Sequence, residues 1–354
     1  MPEAIRKVNV IGHLNPDTDS ICSAIAYAYL KNKAGDTNIY EARRAGAVNR
    51  ETAFALKHFG FAEPPLITTV TPQIKDTEVQ KQGGIDAETS LFEAWSVMRE
   101  TKTDTLSITD GNDNLLGLIA TKDIANANLD IFDIEVLGSS KTKYANIVST
   151  LNGQMILGDP EARVMSGSLR VGTTPEMMED TVKAGDLVLV TNRYETQQFA
   201  VGSDASCIVV CCGAHVSNQV RESAERHGCT IIATPYDTYA AARLICMSIP
   251  VRAKMIPEKN TIKFSVNTAV DDAKKTIASS RHRFFPVIDE DGKYVGLVNT
   301  PSLLTAKKKH VILVDHNERS QAVEGLEQAE IMEIIGKDET IRRVNAAIEK
   351  LENL

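Results

Sequence analysis

IGHLNPDTDS, residues 11–20, connects a short apolar run to a segment with helical spacing. Residues 8–11 predict a buried strand before it, and residues 21–30 predict a helix after it. His13 would then lie at the carboxyl end of a strand, which is the edge of an open parallel sheet where ligands bind. A helix that begins at this edge adds backbone N–H groups and a positive dipole end, and both suit a phosphate group.

One imidazole and two carboxylates fall within this stretch, at His13, Asp17 and Asp19. Such a ligand set suits Mn²⁺ or Mg²⁺ better than the thiolate-rich sets of structural zinc sites. The alternative is that the aspartates and their polar neighbours only cap a helix or form a turn. Capping needs only one of these residues, so the spacing His-x3-Asp-x-Asp after a strand favours a metal site.

Residues 12–20 resemble the first motif of the family II, manganese-dependent inorganic pyrophosphatases, which belong to the DHH phosphoesterases. A strand-like run at residues 310–314, followed by Asp315 and the sequence HNE, resembles the second motif of this family. The resemblance implies that His13, Asp17 and Asp315 bind a first Mn²⁺ ion, with Co²⁺ or Mg²⁺ as alternatives. It implies that Asp19 and Asp315 contribute to a second ion, that these four residues carry catalysis, and that pyrophosphate is the substrate of a homodimer.

The third motif of the family does not appear in this sequence. The family has an Asp-His-His triplet after an Ile-Ile pair, whereas here Ile334-Ile335 is followed by Gly336-Lys337-Asp338. A further metal-binding Asp and the C-terminal domain that holds pyrophosphate are also missing, so we expect a truncated or divergent chain with half of the second metal site. Two-metal hydrolysis uses a hydroxide that bridges both ions. The sequence therefore leaves two alternatives open: a pyrophosphatase that is impaired as an isolated chain, or a non-catalytic, adenine-nucleotide-sensing fragment.

The order helix, strand, turn, strand occurs twice, over residues 86–120 and again over residues 270–298. Each copy resembles a CBS motif, and two CBS motifs usually pair to hold an adenine nucleotide such as AMP, ADP, ATP or a diadenosine polyphosphate. The candidate contacts are polar, cationic or aromatic residues beside the last two strands of each copy: Thr121, Lys122, Asp123, Arg283, Phe285 and Asn299. Arginine gives bidentate phosphate contacts, and the aromatic ring could stack on a base. The alternative is that the basic residues are solvated and that Phe285 belongs to the core.

The block between the two copies alternates apolar, strand-like runs with a helix, which predicts parallel strands. Residues 191–193, 235–239 and 248–251 resemble segments of the DRTGG domain. The sequence thus predicts an α/β protein with a discontinuous, parallel-sheet DHH-type domain and an inserted CBS pair that flanks a DRTGG-like domain. The expected bounds are 1–65 and 307–354 for the DHH-type domain, 66–128 and 254–306 for the CBS motifs, and 129–253 for the DRTGG-like domain.

Composition limits the other classes of function. With 354 residues, of which 43% are hydrophobic, the chain can build cores for two or more domains. A net charge of -8 argues against nucleic acid as a partner, although residues 307–309 are a run of three lysines, which is more typical of a solvated turn than of a binding patch. No apolar run approaches the roughly 20 residues that cross a bilayer, and no secretory signal precedes the first strand. Six scattered or strand-borne cysteines predict reduced thiols in a cytoplasmic protein.

Overall fold

The structure, a computed structural model, describes residues 5–35, 37–130, 135–278, 280, 282–314, 330–335 and 342, and of residues 330–335 the backbone alone. The strands are β1 (Lys7–Ile11), β2 (Ile39–Ala42), β3 (Ile85–Asp86), β4 (Thr105–Thr109), β5 (Leu115–Ala120), β6 (Gln154–Leu157), β7 (Leu169–Val171), β8 (Leu187–Val190), β9 (Cys207–Val210), β10 (Thr230–Ala233), β11 (Ile256–Pro257), β12 (Phe264–Ser265), β13 (Phe284–Ile288), β14 (Tyr294–Asn299), β15 (His310–Val314) and β16 (Glu330–Ile335). The helices are α1 (Thr18–Lys33), α2 (Arg50–His58), α3 (Leu91–Thr101), α4 (Thr121–Leu129), α5 (Val136–Ser139), α6 (Tyr144–Thr150), α7 (Pro175–Met178), α8 (Tyr194–Gly202), α9 (Asn218–His227), α10 (Thr238–Ile245), α11 (Val270–Ile277) and α12 (Thr300–Leu304). Short 3-10 turns occur at Ile74–Asp76, Cys246–Ser248, Val251–Ala253 and Glu258–Asn260.

The chain divides into two compact units. The first unit comprises Met1–Gln80, Phe264–Arg283 and Val298–Leu354, and the second comprises Lys81–Lys263 and Phe284–Leu297. The first unit is built around a parallel sheet in the order β16-β15-β1-β2.

The sheet of the first unit joins strands from opposite ends of the chain. β15 pairs with β1 in a register that sets Val8 opposite His310 and Ile11 opposite Leu313. Val8 and Val10 are fully buried in a core shared with α1. Burying one such side chain contributes about 1.5–3 kcal/mol, and a one-residue slip would turn it to the other face of the sheet, so this core fixes the register. The predicted discontinuous, parallel-sheet domain is confirmed.

The second unit contains a five-stranded sheet in the order β6-β10-β9-β8-β7. Strands β7 to β10 are parallel, as the sequence predicts, whereas β6 is an antiparallel edge strand that the sequence analysis did not predict. Val188 and Val190 face a core with α7, α8 and α9, while Leu187 and Leu189 face a core with α3, α6 and α10. Because both faces are covered, these strands are continuous apolar runs without a polar alternation.

The two predicted CBS hairpins pack against each other inside the second unit. β4 and β5 form an antiparallel pair, and β3 runs parallel to β4. Leu115 and Leu118 of β5 share a small core with Tyr294 and Leu297 of β14. The backbone N–H of Tyr294 also donates to the carbonyl oxygen of Asp113 at 2.9 Å. The internal repeat therefore has a structural counterpart in two hairpins held face to face.

Candidate metal and nucleotide sites

Two close backbone approaches shape the loop that follows β1. A Cβ atom on Gly12 would lie 1.8 Å from Ser20 Oγ, and one on Gly46 would lie 2.2 Å from the carbonyl oxygen of Leu14. Neither position can accept a side chain without movement of the backbone or of Ser20. Gly12 therefore lets the loop lie against the first turn of α1, and Gly46 lets the segment after β2 lie against the loop.

Asp17 caps α1 and faces His13 at the same time. Its Oδ1 atom accepts a hydrogen bond from the Ser20 backbone N–H at 2.9 Å and lies 3.5 Å from His13 Nε2. The His13 side chain is mostly buried, and that of Asp17 is about half exposed. A carboxylate has about four lone-pair sites, so the cap leaves acceptor capacity for a ligand. The capping alternative and the metal alternative are thus compatible in one residue.

The geometry of this pair fits a divalent cation. Ligand atoms bound to one ion at about 2.1 Å, with bond angles between 90° and 110°, lie roughly 3–3.5 Å apart. The observed 3.5 Å between His13 Nε2 and Asp17 Oδ1 falls in this range. A neutral imidazole and a carboxylate are donors that Mn²⁺ and Co²⁺ accept. The donor set therefore fits the metal that the resemblance implies.

The other predicted ligands are placed only in part. Asp19 lies in the first turn of α1, and its Oδ1 atom is 3.5 Å from Ser23 Oγ. β15 ends at Val314, so Asp315 lies outside the described residues. Among the residues that the structure describes, no three His, Cys, Asp or Glu side chains form a metal-binding group. The structure thus brings together His13 and Asp17 of the four predicted ligands.

Two neighbours of the pair escaped the sequence analysis. Ser20 is buried, and within the described part of the chain its hydroxyl has no hydrogen-bond partner. Burial, and after it the charge of Asp19, raise the pKa of the Cys22 thiol. The thiol therefore stays protonated near neutral pH. In the sequence, Ser20 is one of several residues typical of a helix start, and nothing there indicates that its hydroxyl is buried.

The first CBS copy uses two of its three candidate residues in local structure. Asp123 Oδ2 accepts a hydrogen bond from the Ala120 N–H at 2.9 Å, which closes the first turn of α4. Thr121 Oγ1 donates to the carbonyl oxygen of Asp104 at 3.3 Å. Lys122 is exposed. Of these three side chains, Lys122 is the one with a solvent-exposed charge at the start of α4.

In the second CBS copy, the candidate contacts Arg283 and Asn299 lie at the surface or cap a helix, but the aromatic candidate Phe285 is buried. Asn299 Oδ1 caps α12 by accepting from the Ser302 N–H at 2.8 Å, and the carbonyl oxygen of Arg283 accepts from the Thr300 N–H at 3.2 Å. The Arg283 side chain is exposed. Phe285, by contrast, is only 1% exposed and is among the largest fully buried side chains. Base stacking by Phe285 is therefore wrong for this structure, because the ring fills the core instead.

One carboxylate of the first CBS copy, Glu88, links three segments of the second unit. Glu88 contacts Arg163 Nη1 at 2.8 Å and Arg252 Nε at 2.7 Å. The same arginines donate to the carbonyl oxygens of Lys141 and Ser140 at 2.9 Å each. Burial raises the pKa of Glu88, but the hydrogen bonds from Arg252 and Arg163 outweigh it and hold the pKa below its ordinary value of 4.5. No local sequence signal could have identified this cluster, which joins residues up to 164 positions apart.

Comparison with known families defines the class of protein first. The CBS domain family matches residues 84–130 and 253–309, and the DRTGG domain family matches residues 146–248. The fold and these matches describe a CBS pair with an interposed DRTGG domain, in a chain whose parallel sheet carries the candidate metal ligands His13 and Asp17 at its edge. Within the described residues, no helix is long and apolar enough to cross a membrane.

Curated relatives then specify the kind of enzyme to which this chain is similar. It is 37% identical over 329 residues to a cobalt-dependent inorganic pyrophosphatase of Clostridium perfringens, covering 93% of this chain and 60% of that protein. It is 30% identical over 334 residues to a probable manganese-dependent inorganic pyrophosphatase of Thermotoga maritima, covering 94% and 60%. The chain thus spans about 60% of the length of these relatives.

A solved structure resembles the CBS and DRTGG segments of this chain. The CBS and DRTGG domains of the Clostridium perfringens pyrophosphatase, complexed with the activator diadenosine tetraphosphate, match with a TM-score of 0.61 and 31% identity. The match covers 64% of this chain and 99% of that one. The chain is therefore a homologue of metal-dependent inorganic pyrophosphatases that carry CBS and DRTGG domains, and the resemblance inferred from the sequence is confirmed.

Proposed function

We propose that this chain takes part in the metal-dependent hydrolysis of pyrophosphate to two phosphates, regulated by an adenine nucleotide at its CBS pair. The observation that carries the proposal is the His13–Asp17 pair, 3.5 Å apart at the carboxyl edge of a parallel sheet. The cobalt- and manganese-dependent pyrophosphatases among its relatives support Mn²⁺ or Co²⁺ as the ion, with Mg²⁺ as a further candidate.

The proposed ligands are His13, Asp17, Asp19 and Asp315. A bound ion of this kind supplies Lewis-acid polarisation and lowers the pKa of a bound water molecule. The chain's own contribution is orientation, because the Ser20 N–H holds one carboxylate oxygen of Asp17 in place. The N–H groups in the first turn of α1, together with the dipole of this 16-residue helix, favour a phosphate at the same edge.

The proposed regulatory ligand is AMP, ADP, ATP or a diadenosine polyphosphate. The structural neighbour that binds diadenosine tetraphosphate supports this class of ligand, as do the two CBS matches. The proposed contacts are Thr121, Lys122, Asp123, Arg283 and Asn299, with the charges of Lys122 and Arg283 directed to phosphate. Phe285 is left out because it is buried.

One observation favours a second candidate function, that of a nucleotide-sensing protein without catalysis. Directly after β16 the chain reads Gly336-Lys337-Asp338, where the resemblance implies an Asp-His-His triplet. A sensor of this kind would bind adenine nucleotides through the CBS pair and would not hydrolyse pyrophosphate.

Three coarser features complete the proposal. We expect a homodimer, a cytoplasmic location and the domain bounds derived from the sequence. The six cysteines are free, and Cys207, Cys211 and Cys229 are buried, which supports a reducing compartment. The CBS and DRTGG matches at residues 84–130, 146–248 and 253–309 support the order of the domains.

The test measures phosphate release from pyrophosphate with Mn²⁺ or Co²⁺, and melting temperature with AMP or diadenosine tetraphosphate. We expect slow turnover, and we expect added nucleotide to change its rate. Asp17→Asn should abolish turnover, whereas Asp237→Asn, which alters the cap of α10, should leave turnover intact. A nucleotide at 100 times its Kd should stabilise the fold by about 2.7 kcal/mol. Nucleotide stabilisation without turnover supports the sensor, and the absence of both effects contradicts both functions.

A further inference from the structure

A second concentration of charge lies in the first unit, beside the amino ends of β1 and β15. A cavity of about 900 Å³ is lined by Lys7, at the start of β1, and by His310, at the start of β15. Its remaining cations are Arg6, Arg43, Lys75 and residues 307–309. Seven lysine and arginine side chains from separate segments therefore share one cavity in a chain whose net charge is -8.

Carboxylates balance only part of this charge. Glu41 pairs with Lys7 at 2.8 Å and also with Arg43, and Asp76 pairs with Lys309 at 2.9 Å. Arg6, Lys75, Lys307 and Lys308 have no ion pair with any described carboxylate. Lys75 Nζ is bound instead to the neutral amide oxygen of Asn267 at 2.7 Å. Four of the seven lysine and arginine side chains in the cavity therefore have no carboxylate partner among the described residues.

The lysine run is not simply a solvated turn. The Lys309 side chain is only 17% exposed, and that of Arg43 is 21% exposed. Lys309 and Arg43 have carboxylate partners. The four cations without an ion pair, Arg6, Lys75, Lys307 and Lys308, are exposed, so they repel one another in a way that salt can screen. An anion bound among them would relieve this repulsion. The expectation drawn from the sequence for residues 307–309 is thus wrong for Lys309.

The uncharged lining indicates which anion fits. Asn9, Thr68, Thr69 and Gln73 add hydrogen-bonding groups to the wall. The apolar lining residues are the aliphatic Ile5, Leu66 and Ile67, and the described lining contains no phenylalanine, tyrosine or tryptophan ring on which a base could stack. Arginine and lysine together favour phosphate oxygens. The chemistry selects a compact, multiply charged phosphate chain without a nucleoside.

We propose that this cavity is a binding site for an inorganic phosphate chain such as pyrophosphate or tripolyphosphate, separate from the proposed metal ligands and from the proposed nucleotide contacts. The bound anion contacts two segments. Thr68, Thr69 and Lys75 belong to the segment between α2 and β3, and residues 307–309 belong to the segment between α12 and β15. The site does not depend on the proposed enzymatic activity, because none of its lining residues is a proposed metal ligand or nucleotide contact.

The test is calorimetry of the 354-residue chain with tripolyphosphate, in low salt and with EDTA so that no metal site takes part. We expect saturable binding that weakens as ionic strength rises. The triple variant K75Q/K307Q/K308Q should bind at least tenfold more weakly. The control K57Q/K274Q/K275Q removes the same charge from the same unit, on α2 and α11 outside the cavity, and should bind as the parent chain does.

Two further measurements keep the test decisive. Without added anion, the K75Q/K307Q/K308Q variant should melt at the same temperature as the parent or higher, because like charges are removed, and this establishes that it folds. Saturating AMP should leave tripolyphosphate binding unchanged. The absence of saturable binding, equal weakening in the control variant, or displacement of tripolyphosphate by AMP would each overturn the proposal.

Discussion

The loop after β1 and the cluster around Glu88 both depend on charged side chains, but they are assembled in opposite ways. His13, Asp17 and Asp19 lie within one turn and one helix start, whereas Glu88 meets Arg163 and Arg252 from positions 75 and 164 residues away. The first arrangement can be read from the sequence because spacing alone sets its geometry. The second exists only after the fold has formed. Local motifs therefore indicate candidate chemistry in this chain, and the long-range ion pairs of Glu88 join distant segments of the second unit.

The largest effect is expected at Glu88. Glu88→Ala leaves two partly buried arginines without their carboxylate and should lower the free energy of unfolding by about 3 kcal/mol, since hydrogen bonds to charged groups are worth roughly 1.5–3 kcal/mol and solvent screens part of this pair. Glu161→Ala removes one exposed partner of Lys143 and should cost below about 1 kcal/mol. Urea unfolding of both variants checks the difference. Equal losses would mean that the Glu88 cluster is no stronger than an ordinary surface pair.

The same cluster should make stability depend on pH. The pKa of Glu88 in the folded chain lies below its ordinary value of 4.5. The ionised carboxylate therefore adds to the free energy of unfolding above pH 4.5, and this stabilisation is lost as the pH falls through the folded pKa. The difference in unfolding free energy between the parent and Glu88→Gln should therefore be constant from pH 7 to about pH 5 and shrink below it. Chemical unfolding at several pH values measures this difference. A difference that grows toward low pH would contradict the assigned direction of the shift.

A smaller loss is expected in the loop after β1. Gly12→Ala places a methyl group 1.8 Å from Ser20 Oγ and should destabilise the chain by about 1–3 kcal/mol through overpacking. The double variant Gly12→Ala with Ser20→Ala removes the hydroxyl and should recover part of this loss, although the Ser20 Cβ remains 3.0 Å away. A double-mutant cycle by thermal unfolding gives the coupling. Strict additivity would show that the two residues do not meet as described.

Most of the parallel sheets could be predicted because continuous apolar runs and helix-start residues are local signals. The pairing of β1 with β15 followed from the resemblance of the segments around His13 and Asp315 to two motifs of one family, and the register confirms it. The antiparallel strand β6 was missed because a short edge strand has no clear alternation of apolar and polar residues.

The misjudged residues share one physical reason. Phe285 was left open between a base-stacking role and the core because the sequence does not show which face of β13 is covered, and the structure buries it. The sequence predicts Lys309 in a solvated turn, but its side chain is mostly buried and pairs with Asp76, over two hundred positions earlier. In both cases burial is decided by distant segments, which neither spacing nor composition reports.

The central claim is that Asp17 is a metal ligand and not only a helix cap, and Mn²⁺ calorimetry on matched variants tests it most directly. Asp17→Asn keeps an equally good cap, whereas Asp17→Ala loses it at a cost of about 1 kcal/mol, as Asp237→Ala does on α10. We predict that both Asp17 variants weaken Mn²⁺ binding at least tenfold, that Asp17→Asn retains the stability of the parent, and that Asp237→Ala retains its Mn²⁺ affinity. Unchanged Mn²⁺ affinity in Asp17→Asn would contradict the claim and leave Asp17 as a cap alone.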